Sequence, residues 1–136
     1  MPRNHIADSS VLVALLSRDD QHHAWIAGQS GKLPWPWVTC EGALTEAFHL
    51  LGEKGAPRLK ELLRRGAIVV SFDLGNHLTP VLDLMDKYAD VPMSLADACL
   101  VRMSETLPDP VVLTTDADFK IYRRHSRQVV PCLRPG

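Results

Sequence analysis

Short apolar runs alternate along the chain with stretches of helical periodicity. The runs that predict strands cover residues 5–7, 38–40, 67–72, 111–113 and a last stretch near 128–132. Helical spacing and capping signals predict helices over 9–17, 20–29, 42–53, 57–66, 79–88, from 94 onwards, and briefly over 119–123. Strands separated by helices indicate a parallel sheet covered on both faces. The predicted fold class is α/β, a three-layer α/β/α sandwich around a central, mostly parallel sheet of four or five strands.

Length and composition favour one domain over residues 1–136. The chain has 136 residues, of which 46% are hydrophobic, and that is enough to fill one core. Its three cysteines, Cys40, Cys99 and Cys132, are odd in number and far apart, which predicts reduced thiols. The longest early apolar run, 11–16, is too short to span a membrane. We therefore expect a cytoplasmic protein with no membrane association.

Charge is balanced overall but unevenly distributed. The net charge of −1 predicts neither nucleic acid nor acidic ligands. After Asp118 there is no acidic side chain, whereas the basic residues there are Lys120, Arg123, Arg124, Arg127 and Arg134. A second basic stretch contains Lys54, Arg58, Lys60, Arg64 and Arg65. Such stretches attract a phosphate backbone, although solvated surface is an equally good interpretation of any one residue.

Acidic residues lie where this fold would bring them together. Asp8 follows the first strand, and Asp116 and Asp118 follow the strand at 111–113. The carboxyl ends of parallel strands share one edge, where α/β sheets bind ligands. Glu46 borders the apolar stripe of its helix, and Asp97 lies in the first turn of another. Converging carboxylates resist joint ionisation unless protons or cations intervene, so a divalent metal is the natural partner.

Each acid also has a structural interpretation when taken alone. Asp8 could cap the helix that follows it, and Asp97 forms the capping-box pattern S-x-x-D with Ser94. Asp116 and Asp118 could be turn and N-cap residues, and Glu46 could be a solvated charge at a helix edge. Glu41 is close enough in sequence to rival Glu46. Their joint occurrence at strand end, helix, helix and strand end favours a shared site.

Four segments of the chain resemble the PIN-domain family, in particular VapC-type toxins of toxin-antitoxin pairs. They are "IADSSVLVALL", "VTCEGALTEAFHLL", "VPMSLADACLV" and "LTTDADF", in the family's order and approximate spacing. The resemblance implies a PIN-like fold and an endoribonuclease that uses Mg²⁺ or Mn²⁺. By position, the implied acids are Asp8, Glu46, Asp97 and Asp116, with Asp118 as a helper and Ser10 and Thr114 lining the site. It also implies an RNA substrate, a cognate antitoxin and a homodimer.

Carboxylate oxygens suit such a metal. Mg²⁺ prefers octahedral oxygen coordination, keeps several waters and usually takes one or two direct carboxylates plus substrate phosphate. Our hypothesis is that Asp8 and Asp97 or Asp116 bind the metal, whereas Glu46 or Asp118 orients or deprotonates the attacking water. Asp116 ranks above Asp118 because it is nearer the strand end.

Two other classes of protein remain as alternatives to the nuclease. A non-catalytic PIN-like module could bind RNA through the basic stretches without cutting it. A phosphatase or receiver domain also has an acidic α/β site. The phosphatase needs DxDx after the first strand, where this chain has Asp8, Ser9 and Ser10, and the receiver pattern of paired early acids and a late lysine is not met either.

Overall fold

The structure is a computed structural model that describes residues 3–136. Residues 1 and 2, the start of the predicted domain, lie outside the described residues. The strands in that range are β1 (Asn4–Ala7), β2 (Trp37–Thr39), β3 (Ile68–Val70), β4 (Pro110–Leu113), β5 (Arg123–Arg124), β6 (Gln128–Val129) and β7 (Cys132–Leu133). The helices are α1 (Ser9–Leu16), α2 (His23–Ser30), α3 (Glu41–Arg64), α4 (Leu78–Lys87) and α5 (Leu95–Thr106). Two 3-10 turns cover Leu74–His77 and Ala117–Lys120.

The main sheet has five parallel strands in the order β3-β2-β1-β4-β7. The central pair is β1 and β4, in which Ile6 pairs with Val112 and Ala7 pairs with Leu113. A separate antiparallel hairpin joins β5 and β6. The predicted three-layer α/β/α sandwich with a mostly parallel sheet is confirmed. Strands β1, β2 and β4 and helices α1, α4 and α5 begin within one residue of their predicted positions.

Alternate residues of the central strands face two separate cores. Ile6 and Val112 pack with α4 and α5, and Ala7 and Leu113 pack with α1, α2 and the body of α3. Fully burying an aliphatic side chain such as Ile6 contributes about 1.5–3 kcal/mol, so both cores hold the central strands in register. None of the helices within residues 3–136 has the length and apolar character that crossing a membrane requires.

The segment α3 consists of two helical parts joined across a kink, so the two helices predicted over 42–53 and 57–66 are present, although the second begins directly after the kink. The break is at Gly52, whose φ of 64° is a left-handed conformation that glycine adopts without strain. At the other end of α3, a Cβ at Gly42 would lie 3.2 Å from the Cβ of Ala96. Glycine at this position therefore lets the first turn of α3 approach the first turn of α5.

The region after Asp116 differs most from the prediction. The helix over 119–123 is wrong, because the turn Ala117–Lys120 ends early and the backbone N–H of Arg123 donates to Tyr88 Oη at 2.8 Å. The strand near 128–132 is also wrong as a single element. Pro131 has no N–H for a ladder, and it separates β6 of the hairpin from β7 of the main sheet.

Two further boundaries need correction. The predicted strand 67–72 is only three residues long, and as the outer strand β3 it leaves Val69 and Val70 exposed. Helix α2 begins at His23 and not at 20, because Asp20 accepts a hydrogen bond from the N–H of His22 in the turn before the helix.

Candidate active site

Asp8 lies at the carboxyl edge of the sheet, one residue beyond β1. Its N–H donates to the carbonyl of Leu113 at 3.0 Å, so Asp8 is level with Thr114, the first residue beyond β4. The side chain of Asp8 is only 4% exposed. The two central strands therefore aim a buried carboxylate at the edge where parallel sheets bind ligands.

Hydroxyl groups hold the Asp8 carboxylate in place. Its Oδ2 accepts hydrogen bonds from Thr114 Oγ1 at 2.7 Å and Ser10 Oγ at 3.0 Å, and Ser9 Oγ is 3.4 Å from Oδ1. Although Asp8 occupies the N-cap position of α1, its side chain makes no capping hydrogen bond. Burial raises the pKa of Asp8, hydrogen bonds from Thr114 and Ser10 oppose the rise, and the charge of Asp116 adds to it.

Ser9 connects Asp8 to Glu46 on α3. The Ser9 hydroxyl donates to Glu46 Oε2 at 2.8 Å, so the carboxylate of Glu46 reaches the same edge. Glu46 is half-buried, whereas its rival Glu41 is exposed. The negative charge of Glu46, and not that of Glu41, is among the causes that raise the pKa of Asp97. The structure therefore brings Glu46 into the acid cluster.

Asp116 is tied to Asp8 through Thr114. The hydroxyl of Thr114 donates to Asp8 and accepts from the N–H of Asp116 at 2.9 Å. Asp116 in turn caps the 3-10 turn Ala117–Lys120, because its Oδ1 accepts from the N–H of Asp118 at 2.9 Å. Both carboxylates are half-buried. The ranking of Asp116 above Asp118 as a metal ligand stays a prediction.

Asp97 combines a structural role with a place in the cluster. The capping box predicted with Ser94 is present, with Ser94 N donating to Asp97 Oδ2 at 3.1 Å and Asp97 N donating to Ser94 Oγ at 3.0 Å. The side chain of Asp97 is 8% exposed. Burial raises the pKa of Asp97 to about 6, and the charges of Asp8, Asp116 and Glu46 contribute to the rise. Its charge is thus coupled to acids from three other segments.

Sequence reasoning missed Tyr122. Its hydroxyl lies 3.3 Å from Asp97 Oδ2 and 3.4 Å from the carbonyl oxygen of Pro92, and its ring is fully buried against Phe119 and Tyr88. Burial raises the pKa of Tyr122, and the charges of Asp97, Asp118 and Asp116 raise it further. Tyr122 therefore stays a neutral hydrogen-bond donor. An aromatic residue just after a short turn predicts core packing, and no signal in the sequence links it to Asp97.

The chemistry of the cluster fits a hydrated hard cation. Every side-chain group described above that faces the edge is a carboxylate or hydroxyl oxygen, the donor type that Mg²⁺ and Mn²⁺ prefer. Within residues 3–136, no three His, Cys, Asp or Glu side chains form a ready-made direct ligand set. Mg²⁺ commonly binds through one or two carboxylates and keeps its other waters, so the wider spacing suits an ion held partly through water.

Comparisons with known proteins bear on the fold. No protein-family model matches the chain, and no curated protein matches its sequence. Among solved structures, it is similar to VapC20 of Mycobacterium tuberculosis, described as a sarcin-ricin loop cleaving toxin. The TM-score is 0.74 at 17% sequence identity, and the match covers 87% of this chain and 94% of the other. This chain has the PIN-like fold. The resemblance to VapC-type PIN domains that the sequence indicated is confirmed at the level of the fold.

Proposed function

We propose that this protein is a metal-dependent endoribonuclease that hydrolyses RNA phosphodiester bonds as the toxin of a toxin-antitoxin pair. One observation carries the proposal. In a PIN-like fold, acids from four separate segments share one edge of the sheet, and their charges raise the pKa values of Asp8 and Asp97. Folding tolerates this repulsion best if a divalent cation can bind there, and such a cation can activate water for phosphodiester hydrolysis.

Asp8, Asp97 and Asp116 are the proposed metal ligands. Asp8 is held by Thr114 and Ser10, and Asp97 is held by the capping box and Tyr122, so neither carboxylate needs to reorganise to bind an ion. When bound, the ion lowers the pKa of a coordinated water and neutralises charge on the scissile phosphate. Mg²⁺ and Mn²⁺ both suit these oxygen donors.

Glu46 and Asp118 are the proposed groups for the attacking water. Both are half-buried, whereas Asp8 and Asp97 are buried. The Ser9 hydroxyl orients Glu46 by donating to Oε2, which leaves Oε1 available to a water molecule. In this role Glu46 or Asp118 orients the water and accepts its proton.

The biological setting is proposed from the same fold likeness. A nuclease of this kind would act in the cytoplasm, where an uncontrolled site would be harmful, and VapC-type toxins are silenced by a cognate antitoxin. We propose the same control here, with an antitoxin segment across the acid cluster and a homodimer of this chain. A basic side chain of the antitoxin would neutralise the acids in place of the metal.

The direct test is incubation with RNA. Total RNA and purified ribosomes would be incubated with the protein in Mg²⁺ or Mn²⁺, and in parallel with chelator. Ribosomes belong in the panel because VapC20 is described as cleaving the sarcin-ricin loop. We expect metal-dependent fragments from the wild-type protein and from Asp86→Asn, which removes an exposed acid of α4, and none from Asp8→Asn. Equal cleavage by Asp8→Asn would overturn the proposal.

A non-catalytic RNA-binding module is the second candidate. It is favoured by the absence, within residues 3–136, of a compact group of three potential ligands. The same experiment separates the two functions, because a binding module would retain RNA in a filter or gel-shift assay without producing fragments under any metal condition.

A further inference from the structure

Four of the five basic residues after Asp118 fall into two groups, and the fifth, Arg127, lies in the turn between β5 and β6. Arg123 and Arg124 serve the fold: Arg123 Nη1 donates to the carbonyls of Lys120, Ile121 and Tyr122, and Arg124 Nη2 donates to the carbonyl of Ser104. Lys120 and Arg134 form no ion pair with any carboxylate in residues 3–136. These two cations remain available to a ligand.

Lys120 and Arg134 line the same groove. It has a volume of about 580 Å³, and its other lining residues are Phe119 and the segments 129–133 and 135–136. No acidic side chain lines it. The exposed side chain of Val129, with 63% of its surface accessible, adds apolar surface at the rim. The groove therefore combines apolar walls with two positive side chains that form no ion pair among the described residues.

The groove lies next to the segments that carry the acid cluster. Strand β7 pairs with β4, and the N–H of Thr114 donates to the carbonyl of Leu133 at 3.2 Å. Arg134 thus follows β7 at the edge of the sheet where Thr114 holds Asp8. Lys120 is two residues beyond Asp118 in the turn that follows the acids. Both cations therefore lie on segments adjacent to those that carry the acids.

Arg134 carries an independent sign of a missing partner. Its Nε atom is buried without a hydrogen-bond partner among the described residues; Arg124 Nε is in the same situation, but of the two only Arg134 lines the groove. A buried charged donor without an acceptor is unfavourable, and a phosphate oxygen is a strong acceptor for guanidinium groups. Because the acids next to the groove repel phosphates, cations at this position also offset that repulsion.

We propose that Lys120 and Arg134 bind phosphates of single-stranded RNA in this groove, on the path of the strand to the acid cluster. The proposal rests on the proposed nuclease function and adds the substrate-binding surface to it. The contacts are to the backbone, so they position RNA without selecting its sequence. Apolar surface from Val129 and Pro131 borders the phosphate path and suits ribose and base faces.

Binding is measured separately from cleavage. Fluorescence anisotropy would follow a labelled single-stranded RNA oligonucleotide in chelator, between 50 and 200 mM salt. The salt slope is the slope of the logarithm of the binding constant against the logarithm of the salt concentration. For single strands, each lost phosphate contact reduces its magnitude by about 0.7, which corresponds to roughly fivefold weaker binding at 0.1 M salt. We expect the Lys120→Gln/Arg134→Gln double variant to bind about 25-fold more weakly, with a slope about 1.4 smaller. Arg134→Lys, which keeps the charge, should retain most of the affinity.

The matched control removes the same two charges elsewhere. Lys60 and Arg64 are exposed on the second half of α3, which ends beside the start of β3 and so at the opposite edge of the sheet. We expect Lys60→Gln/Arg64→Gln to bind RNA within about twofold of the wild type, because distant exposed charges are screened. Thermal melting of both double variants checks that they are folded.

The outcomes separate this inference from the proposed function. Unchanged affinity and salt slope in the groove variant, or an equal loss in the control, would overturn the inference even if cleavage occurs. Unchanged RNA binding is also the result expected if the groove serves a protein partner. Groove-dependent binding without metal-dependent cleavage supports the inference, and it rejects the nuclease in favour of the RNA-binding module.

Discussion

The acid cluster has a rear and a front that differ in their surroundings. The rear pair, Asp8 and Asp97, is 4% and 8% exposed, and burial raises both pKa values. The front pair, Glu46 and Asp118, is half-buried. Asp116 is half-buried as well and is joined to Asp8 through Thr114. A negative charge is therefore costly at the rear, where hydrogen bonds offset the effect of burial only in part and a bound cation would relieve it further.

This difference fits the two chemical tasks of the proposed nuclease. A buried carboxylate fixed by several donors is suited to holding a metal ion, because its position is set before the ion arrives. A carboxylate with one oxygen in solvent is suited to guiding a water molecule. Substitution at the rear should therefore remove metal binding and cleavage together. Substitution at the front should lower the rate and leave metal binding in place.

The largest effect is expected at the rear. Asp97→Asn keeps the size of the side chain and an oxygen that can accept from Ser94, but it removes the negative charge. We expect cleavage to fall by about 10³-fold, because charge stabilisation by the metal contributes several kcal/mol. Single-turnover cleavage of a short RNA measures the change. Near-normal cleavage by this variant would remove Asp97 from the metal site.

The front should show a smaller effect. Glu46→Gln and Asp118→Asn each remove a group proposed to act on water, so the one that acts as the base should lower kcat about 10²-fold. Calorimetric titration should show Mn²⁺ affinity within about twofold of the wild type for both. Glu41→Gln, on the exposed face of the same helix as Glu46, is the matched control and should leave kcat unchanged. Loss of metal binding in the front variants would erase the distinction between the two pairs.

Tyr122 tests whether the rear pair depends on its supporting hydrogen bonds. Tyr122→Phe keeps the buried ring and removes the hydroxyl beside Asp97 Oδ2. We expect roughly tenfold weaker Mn²⁺ binding, typical of losing a group that orients a metal ligand. Tyr88→Phe is matched because Tyr88 packs against Tyr122, and its hydroxyl accepts from the N–H of Arg123 away from the acids. Equal metal affinities in the two variants would assign Tyr122 a packing role only.

The smallest effect concerns stability and pH in the absence of metal. Because the pKa of Asp97 is raised from 3.8 to about 6, the folded protein binds more protons than the unfolded chain between those pH values. Its stability contribution is therefore present at low pH and is lost as pH rises through about 6. At pH 7 we expect Asp97→Asn to be more stable than the wild type by about 1 kcal/mol, or roughly 4 °C in Tm. At pH 4 this advantage should vanish, and a constant difference at both pH values would contradict the account.

Much of the site could be predicted because its positions follow simple rules. Asp8 directly follows β1 and Asp116 lies three residues beyond β4, both strands that the apolar runs identify, and Glu46 lies on a helical face set by its apolar neighbours. The links between the acids could not be predicted in this way. The bridge from Ser9 to Glu46 and the contact from Tyr122 to Asp97 span 37 and 25 residues, and they depend on rotamers fixed only by packing.

The least predictable part of the fold is the segment after Asp118. Its elements are two or four residues long, so periodicity has too few repeats to identify them. Tyr88 Oη redirects the chain there by accepting one hydrogen bond from the N–H of Arg123. Pro131 separates β6 from β7 because it has no N–H for a ladder. The same segment brings Tyr122 to the rear of the cluster and Arg134 to the groove, so the sequence was least informative where the substrate surface is proposed.

The most direct test of the central claim is calorimetric titration of Mn²⁺ into the wild-type protein and the Asp8→Asn variant at pH 7.5. The account predicts saturable binding to the wild type and about 10²-fold weaker binding to the variant, because Asp8 is the most buried carboxylate of the cluster. Equal binding by the two proteins, or no binding by the wild type even beside a non-cleavable RNA, would contradict it.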